Sequence, residues 1–273
     1  MADRYAVIGN PIEHSKSPLI HAAFARQTGE DVAYTRLLGR LDAFEQDVHD
    51  FFGNGGKGLN VTVPFKEQAW RMVSERSPRA EVAGAVNTLI LLDDGRLRGD
   101  NTDGVGLVRD LSINHGCPLG GSKVLLLGAG GASRGVVRPL LESGIAHLTI
   151  ANRTASKALA LANDLAELGP VSGCGFDELQ QQSFDVIING TSAGLHGEVP
   201  PIPDGCLKPG GWSYDMMYGS EPTAFVRWGL AHAATQALDG LGMLVEQAAE
   251  SFYLWRGVRP QTASVIQSLR DNG

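Results

Sequence analysis

Two charged residues, Lys66 and Asp103, each stand where a strand-like segment gives way to a helical one. In open α/β sheets, ligands bind beyond the carboxyl ends of the strands. A carboxylate beside an ammonium group keeps the lysine in place and charged, and the lysine can then polarise a carbonyl group or pass a proton to its oxygen. The two residues are therefore a candidate acid–base pair. A solvated lysine and an aspartate that caps a helix are the ordinary alternatives.

Polar residues in the same half of the chain predict a pocket for a small molecule. Asn60 and Thr62 alternate with apolar residues, so they share one face of a predicted strand. Ser15 and Ser17 lie at a loop-to-helix junction, where hydroxyl groups beside free helix N–H groups would hold a small carboxylate. Capping of the helix by Ser17 is the simpler interpretation of that serine. Asn87 stands at the start of a further strand and completes the set.

A glycine-rich turn follows the apolar strand predicted at residues 125–127. It consists of Gly128, Ala129, Gly130, Gly131, Ala132 and Ser133. Glycine permits a tight turn and a close approach of the backbone to a pyrophosphate, whose charge the N-terminus of the following helix stabilises. The turn therefore predicts a dinucleotide site, with a tight turn that binds no ligand as the alternative. Its last fingerprint position is Ser133 rather than Gly or Ala, which could loosen the packing of the helix on the strand.

The residues after the next predicted strand, at 147–151, favour one form of nicotinamide cofactor. An NAD site commonly has an acidic residue here, which binds the ribose 2′-hydroxyl. This chain instead has Asn152, Arg153, Thr154 and Lys157. A guanidinium group suits a phosphate, and basic residues at a helix N-terminus oppose the helix dipole unless something compensates for them. These residues predict NADP rather than NAD, against the alternative of ordinary solvated charges.

The composition narrows the class of protein. The net charge of −7 argues against nucleic acid or an anionic membrane surface as a partner, and no apolar run is long enough to span a bilayer. The three cysteines lie far apart and the seven histidines show no metal-binding spacing, so neither a disulfide framework nor a metal site is predicted. Since no signal peptide is visible, a cytoplasmic protein is expected.

The chain alternates strand and helix patterns, which predicts mostly parallel sheets. A new β-α-β series begins near residue 122, so two open α/β domains are expected. Asp93-Asp94-Gly95 predicts a hairpin between two short strands. Residues 41–52 are predicted to be helical, whereas residues 169–175 and 194–203 are predicted to be surface loops.

Eight short motifs, in consistent order along nearly the whole chain, are together specific enough to indicate a family. They occupy residues 9–18 (GNPIEHSKSP), 60–66 (NVTVPFK), 84–88 (GAVNT), 99–104 (GDNTDG), 128–135 (GAGGASRG), 152–154 (NRT), 214–218 (YDMMY) and 239–244 (DGLGML). Through this set the chain resembles the shikimate dehydrogenase family. The resemblance implies the reversible NADP-linked reduction of 3-dehydroshikimate to shikimate, a step toward chorismate and the aromatic amino acids.

The resemblance also implies an architecture. Residues 104–241 would form a Rossmann-type NADP-binding domain. Residues 1–103 would form the substrate-binding and catalytic domain, to which the C-terminal helices at 242–273 would return, with an active-site cleft between the two domains. The implied partners are the small-molecule substrate and NADP(H), in a monomer or a homodimer.

Individual roles follow from the resemblance at the positions that match. Lys66 and Asp103 would be the catalytic pair. The substrate would be bound by Ser15, Ser17, Asn60, Thr62, Asn87, Tyr218 and Gln247. The cofactor would be bound by the turn from Gly128 to Ser133 and by Asn152, Arg153, Thr154 and Lys157, with Met216, Gly240 and Met243 near the nicotinamide. Gln247 depends on the resemblance alone, because it lies off the apolar stripe of its predicted helix and otherwise resembles a solvated residue.

Two alternatives to this function remain. One is a related quinate/shikimate dehydrogenase that accepts NAD and quinate, which Arg153 disfavours because an NAD user would have an acidic residue nearby. The other is a non-catalytic module that senses NADP on the same fold. The presence of both Lys66 and Asp103 disfavours it, since function depends on the site rather than on the fold.

Overall fold

The computed structural model describes residues 2–272 of the chain. These residues form two compact units. The first unit holds the residues up to Gly106 together with Val245–Leu269, and the second holds Leu107–Leu244 together with the residues from Arg270 onward. Each unit is built on one six-stranded sheet.

The sheet of the first unit is mixed. Its elements are β1 (Asp3–Gly9), α1 (Ser17–Thr28), β2 (Val32–Leu38), α2 (Phe44–Gly53), β3 (Gly56–Val61), α3 (Lys66–Met72), β4 (Glu75–Arg76), α4 (Pro78–Ala83), β5 (Thr88–Leu91) and β6 (Leu97–Asp100), followed by the start of α5 (Asp103–Arg109). The strand order is β2-β1-β3-β5-β6-β4. Strand β1 pairs parallel with β2 and β3, whereas β5 pairs antiparallel with β3 and β6. The β5–β6 pairing confirms the hairpin predicted at Asp93-Asp94-Gly95.

Side chains bury both faces of this sheet, because successive residues of a strand point to opposite sides. The core of one face includes Ile8, Phe44, Val48, Leu59, Val61 and Phe65. On the other face of the sheet, aromatic side chains pack against α1 and α9 (Leu241–Arg256). There His21 stacks on Tyr34 with ring centroids 4.1 Å apart, and Phe24 meets Phe252 edge to face at 5.8 Å. The sheet is thereby held rigid beneath the residues at its strand ends.

The sheet of the second unit is entirely parallel. Its elements are β7 (Lys123–Leu127), α6 (Gly131–Glu142), β8 (His147–Asn152), α7 (Ala155–Asp164), β9 (Val171–Gly175), β10 (Phe184–Asn189), β11 (Leu207–Asp215), α8 (Ala224–Ala231) and β12 (Gln236–Leu238). The last described helix, α10 (Ala263–Asp271), belongs to the first unit up to Leu269 and to the second from Arg270. The strand order is β12-β11-β10-β7-β8-β9, and each pairing is parallel. The order reverses between β10 and β7, which is the switch point of a dinucleotide-binding sheet. The predicted fold class, two α/β domains of which the second is of Rossmann type, is confirmed.

The surface loop predicted at residues 169–175 is wrong, because Val171–Gly175 forms the edge strand β9. Its glycines are typical of a loop, but they serve another purpose here. Helix α7 packs so closely on β9 that a Cβ atom at Gly173 would collide with the backbone carbonyl of Ala158. A glycine inside a strand therefore marks close helix packing at this position rather than a turn.

Two further element predictions are close to the structure. The helix predicted over residues 41–52 forms as α2 but begins only at Phe44. Residues 194–203 contain a short 3₁₀ turn at Ala193–His196 and otherwise lie in loop conformation, as predicted.

Within the described residues 2–272, no helix is long and apolar enough to cross a membrane. In that same part of the chain, no three His, Cys, Asp or Glu side chains are grouped as a metal ion would require. The cysteines Cys117, Cys174 and Cys206 are free and buried. Burial raises the pKa of these thiols to about 12, about 11 and about 11, respectively, so they remain protonated and weakly reactive.

Candidate active site

Lys66 and Asp103, which the sequence places far apart, are in contact in the first unit. The Nζ atom of Lys66 donates a hydrogen bond of 2.6 Å to Oδ2 of Asp103. Each residue is the first of its helix, Lys66 in α3 and Asp103 in α5. The side chains keep 30% and 18% of their surface exposed, so a ligand can still reach the pair. The contact gives the geometry that an acid–base pair would need.

Asn87 holds the carboxylate of Asp103 from the other side. Its Nδ2 donates to Oδ1 of Asp103 at 2.8 Å and to Oγ1 of Thr102 at 2.9 Å. Its Oδ1 accepts the backbone N–H of Thr102 at 2.9 Å. The amide of Asn101 accepts the backbone N–H of Asp103 at 3.1 Å. The carboxylate is therefore fixed in orientation before any ligand binds, which is what pre-organised catalysis needs.

Gln247, on α9, faces this cluster. Its Oε1 lies 3.4 Å from Nδ2 of Asn87 and 3.4 Å from Oγ1 of Thr102. The interpretation of Gln247 as a solvated residue is therefore wrong. The apolar stripe of α9 could not reveal this, because the polar strand ends on which Gln247 packs come from distant parts of the sequence.

The side-chain amide of Asn60 is engaged by the protein at both ends. Its Nδ2 lies 3.0 to 3.1 Å from three acceptors, the carbonyl of Asn87 and the hydroxyls of Thr88 and Ser251, which share its two hydrogens. Its Oδ1 accepts a hydrogen bond of 2.6 Å from the hydroxyl of Tyr34. The oxygen keeps a second lone pair, so Asn60 has capacity for one further donor.

Tyr34 also belongs to this network, although no sequence motif indicated it. It lies on β2 and reaches across β1 to Asn60 on β3. Burial raises the pKa of Tyr34 well above its usual value, and a hydrogen bond with Ser17 opposes this shift. The ring stacks on His21, whose pKa burial lowers to about 3, so that His21 is a neutral aromatic support. No local pattern identified Tyr34, because its partners come from other strands and helices.

The two serines lie at the start of α1. The helix begins at Ser17 with Lys16 as the N-cap residue, and no side chain caps it. Capping by Ser17, the simpler interpretation, is therefore wrong. The hydroxyl of Ser15 accepts the backbone N–H of Ser17 at 3.3 Å, and the guanidinium of Arg36 holds the carbonyl of Ser15 at 2.6 Å. Thr62 lies just past the end of β3 and is half-buried.

A buried ion-pair network supports the segment that carries Asp103. Asp100 is 2% exposed and accepts hydrogen bonds from Ser77, from the backbone of Asn101 and from Arg79. The guanidinium of Arg79 also bonds to Glu250 of α9 at 2.9 Å. The network ties strand β6 to two helices and so fixes the backbone from which Asp103 projects.

The substitution Asp100→Ala should destabilise the first unit strongly. It leaves a mostly buried guanidinium at Arg79 without its main partner, and breaking a buried pair in this way costs about 3–5 kcal/mol. Urea denaturation of the variant checks the change in the free energy of unfolding. The control Asp94→Ala removes an exposed pair with Arg96 and should cost far less stability. Equal losses in the two variants would refute a structural role for the network.

The glycine-rich turn of the second unit has an open conformation that suits a phosphate. Gly128 has a φ of +103°, which side-chain-bearing residues rarely adopt. A Cβ atom at Gly130 or Gly131 would meet nothing within 4 Å, so this side of the turn is free. Helix α6 begins at Gly131 with no side-chain cap, so its first N–H groups keep the capacity to bind an anion. The turn therefore fits the pyrophosphate of a dinucleotide.

Ser133 does not loosen the helix, contrary to the expectation from its type. It is fully buried, and its hydroxyl lies only 3.0 Å and 2.6 Å from where Cβ atoms at Gly128 and Gly190 would stand. Because Gly128 and Gly190, which follow two neighbouring strands, have no side chains, there is space for the serine side chain between the helix and the sheet. Close packing of α6 on the sheet is thus retained.

The end of β8 presents two basic side chains. Arg153 and Lys157 are both exposed, and neither forms an ion pair with another of the described residues 2–272. Nδ2 of Asn152 bonds to the carbonyl of Thr154 at 3.0 Å and shapes the connection. Helix α7 has no acidic residue in its first turn and no side-chain cap. Two uncompensated cations at a helix N-terminus are what a phosphate group would stabilise.

The turns after β11 and β12 lie against one another at the same edge of the sheet. The backbone N–H of Met216 donates to Asn189 at 2.9 Å, and that of Gly240 donates to Met217 at 2.9 Å. A Cβ atom at Gly240 would collide with the carbonyl oxygen of Met216, so only glycine fits. Met243 is 8% exposed.

Tyr218 follows the same turn and is 37% exposed. Burial raises the pKa of its hydroxyl, so the side chain is a neutral hydrogen-bond donor at ordinary pH. It lies in the second unit, whereas Ser15, Ser17 and Gln247 lie in the first.

The fold is that of two-domain α/β proteins that carry a Rossmann-type sheet. The chain belongs to the shikimate dehydrogenase family. Family models match it at residues 7–89 (shikimate dehydrogenase substrate binding domain), 112–196 (shikimate / quinate 5-dehydrogenase) and 240–270 (shikimate 5′-dehydrogenase C-terminal domain).

Individual relatives agree with this assignment. The chain is 63% identical to shikimate dehydrogenase (NADP(+)) of Alkalilimnicola ehrlichii, over 99% of each chain. It is 60% identical to that of Hahella chejuensis, over 98% of each. Among solved structures, an Ael1 enzyme from Pseudomonas putida is 47% identical with a TM-score of 0.93, over 98% of each chain. Shikimate 5-dehydrogenase from Thermus thermophilus, in complex with NADP(H) and shikimate, is 32% identical with a TM-score of 0.86, over 98% of this chain and 99% of that one.

Proposed function

We propose that this protein catalyses the reversible NADPH-dependent reduction of 3-dehydroshikimate to shikimate, on the way to chorismate and the aromatic amino acids. The observation that carries the proposal is the contact between Lys66 and Asp103, with Asn87 holding the second carboxylate oxygen. The names of the relatives, which are 54–63% identical over nearly the whole chain, support the same substrate and cofactor.

The chemistry divides between the cofactor and the protein. NADPH, when bound, supplies the hydride that the ketone carbon accepts. Lys66 donates a hydrogen bond to the ketone oxygen, stabilises the negative charge that develops on it and lies where it can pass a proton to it. Asp103 keeps the lysine in place through the 2.6 Å contact. In the oxidative direction the same pair removes the proton of the substrate hydroxyl.

The first unit is proposed to bind the substrate. Its carboxylate is held by the hydroxyls of Ser15 and Ser17 together with that of Tyr218. Its ring hydroxyls and ketone are held by Asn60, Thr62, Asn87 and Gln247. The hydrogen bonds of Asn60, Asn87 and Gln247 support these roles. They fix the orientation of each side chain before the substrate binds, as a pre-organised site requires.

The second unit is proposed to bind NADP(H). Its pyrophosphate is held by the open turn of Gly128, Ala129, Gly130, Gly131, Ala132 and Ser133, and its 2′-phosphate by Asn152, Arg153, Thr154 and Lys157. The nicotinamide lies near Met216, Gly240 and Met243. The free conformation of the turn and the two cations after β8, which pair with no other described residue, support this assignment. A cytoplasmic location and a monomeric or homodimeric state complete the proposal; the three free cysteines are consistent with a reducing compartment.

Reduction of NADP⁺ by shikimate, followed by the absorbance of the reduced nicotinamide, tests the function directly. Turnover is expected with shikimate and NADP⁺, and much less with NAD⁺, because no acidic residue follows β8. Quinate is assayed beside shikimate to test the breadth of the substrate site. Comparable rates with quinate and NAD⁺ would assign the protein to the broader quinate/shikimate enzymes. Binding of NADP⁺ without any turnover would instead indicate a sensing module.

A further inference from the structure

The turn between β12 and α9, residues 239–243, lies at the edge of the parallel sheet where a dinucleotide binds. The pyrophosphate turn follows β7, and the basic residues that suit a 2′-phosphate follow β8 on one side of it. The other half of an extended dinucleotide must then lie over the ends of β10, β11 and β12 on the opposite side. The turn at residues 239–243 is therefore placed to face the nicotinamide end.

Two N–H groups in the first turn of α9 find acceptors outside the helix. Oδ1 of Asp239 accepts the N–H of Leu241 at 3.1 Å. The hydroxyl oxygen of Tyr214, on β11, accepts the N–H of Met243 at 3.3 Å. Helix ends leave such groups unsatisfied unless side chains take them, so these two bonds fix where the helix starts. Tyr214 is thus a capping group supplied by a neighbouring strand.

Tyr214 is in turn held by a buried carboxylate. Its hydroxyl donates a hydrogen bond of 2.7 Å to Oδ2 of Asp110, and both residues have 0% exposure. The other oxygen of Asp110 accepts from Asn114 at 2.9 Å. Asp110 opens a π-helical turn, Asp110–Asn114, a rare conformation that is frequent at functional sites. A Cβ atom at Gly242 would collide with this carboxylate, so the turn rests directly on it.

An arginine from α10 holds the same turn on its other side. The guanidinium of Arg270 forms two hydrogen bonds with the carboxylate of Asp239, at 2.6 Å and 2.5 Å. Asp239 is itself 7% exposed. Two buried carboxylates therefore hold residues 239–243 in place. Asp239, within the turn, is bound by Arg270, and Asp110 lies against Gly242. Neither carboxylate is a proposed contact of substrate or cofactor.

We propose that Tyr214, fixed by Asp110, is a positioning residue that sets the height and direction of residues 239–243 against the nicotinamide, and hence the geometry of hydride transfer. This inference rests on the proposed function, because it assumes that a nicotinamide is used. Tyr214 itself does not touch the reacting atoms. It acts through the backbone of Met243. It has no role in binding the cofactor phosphates, whose proposed contacts are in the turns that follow β7 and β8.

The substitution Tyr214→Phe tests the inference, since it removes the hydroxyl and keeps the ring. We measure kcat for shikimate oxidation per NADPH-binding site, which corrects for any unfolded protein, together with the Kd of NADPH. The expected result is a fall in kcat of about tenfold or more, because a displacement near 1 Å can cost about 10²-fold in rate. The Kd of NADPH should change by less than about threefold, because the phosphate contacts contribute most of the affinity. Asp110→Asn, which weakens the same bond, should show a smaller fall of the same kind.

An isotope effect separates positioning from mere loss of folded protein. With shikimate deuterated at the carbon that loses hydride, the primary isotope effect on kcat should equal or exceed that of the wild type. The control is Ser213→Ala, on the same strand, whose buried hydroxyl has no hydrogen-bond partner among the described residues and should leave kcat unchanged. A kcat per site within twofold of wild type in Tyr214→Phe would overturn the inference, as would a rise in Kd as large as the fall in kcat. An inactive wild type would instead overturn the proposed function itself.

Discussion

Replacement of Lys66 by alanine is expected to lower kcat for shikimate oxidation by about 10²–10⁴-fold while the KM for shikimate stays nearly unchanged. The ammonium of Lys66 contacts the carboxylate of Asp103. In the proposed mechanism, its main interaction with the substrate forms as charge develops on the reacting oxygen. An interaction made chiefly in the transition state affects kcat rather than KM. Steady-state kinetics in the oxidative direction, over a range of shikimate concentrations, provides the measurement.

A lysine elsewhere in the first unit serves as the control. Lys57 lies on β3 and is exposed. The substitution Lys57→Ala is expected to change neither kcat nor KM. Lys66→Ala itself should fold, because Asn87 still holds the carboxylate of Asp103 and that side chain keeps 18% exposure. A large rise in KM with kcat intact would show that Lys66 binds the ground state and would remove it from the acid–base role.

The fold was largely predictable because its signals are local. The strands β7, β8 and β10 of the second sheet appear as short apolar runs, and the turn after β7 needs the conformational freedom of glycine at Gly128. Where prediction failed, a tertiary contact had determined the residue. Gly173 is required by the approach of α7 to β9, and the resulting sequence is indistinguishable from a glycine-rich loop. A single sequence contains no record of such an approach between distant elements.

The site was predictable to a smaller extent. Motifs identified the residues at strand ends, including Lys66 and Asp103, but their contact depends on two connections separated by 37 positions. Tyr34 and Asp110 escaped altogether, because an aromatic residue on a strand and an acidic residue on a helix are common everywhere. Their functions arise only from the partners that the fold brings to them. Residues that support a site from behind are thus the ones that sequence patterns identify least well.

Replacement of Arg153 by alanine is expected to raise the KM for NADP⁺ by about 10–100-fold and to leave the KM for NAD⁺ almost unchanged. A hydrogen bond to a charged group contributes about 1.5–3 kcal/mol, which corresponds to this range. Arg153 is exposed and is bonded to no other described residue, so its removal costs the protein little stability. Lys157→Ala should have the smaller effect, because an ammonium group cannot bind a phosphate in the bidentate manner of a guanidinium group.

The ratio of the two KM values decides what Arg153 recognises. Only NADP⁺ carries the 2′-phosphate, so an effect confined to NADP⁺ assigns the side chain to that group, whereas an equal rise for both cofactors would place it on the shared pyrophosphate. The control Arg138→Ala removes a guanidinium from α6 that is already paired with Glu142 at 2.7 Å, and it should change neither constant. Added salt provides a second criterion: screening should weaken NADP⁺ binding to the wild type more than to Arg153→Ala, because the variant has lost one of the charges on which that binding depends.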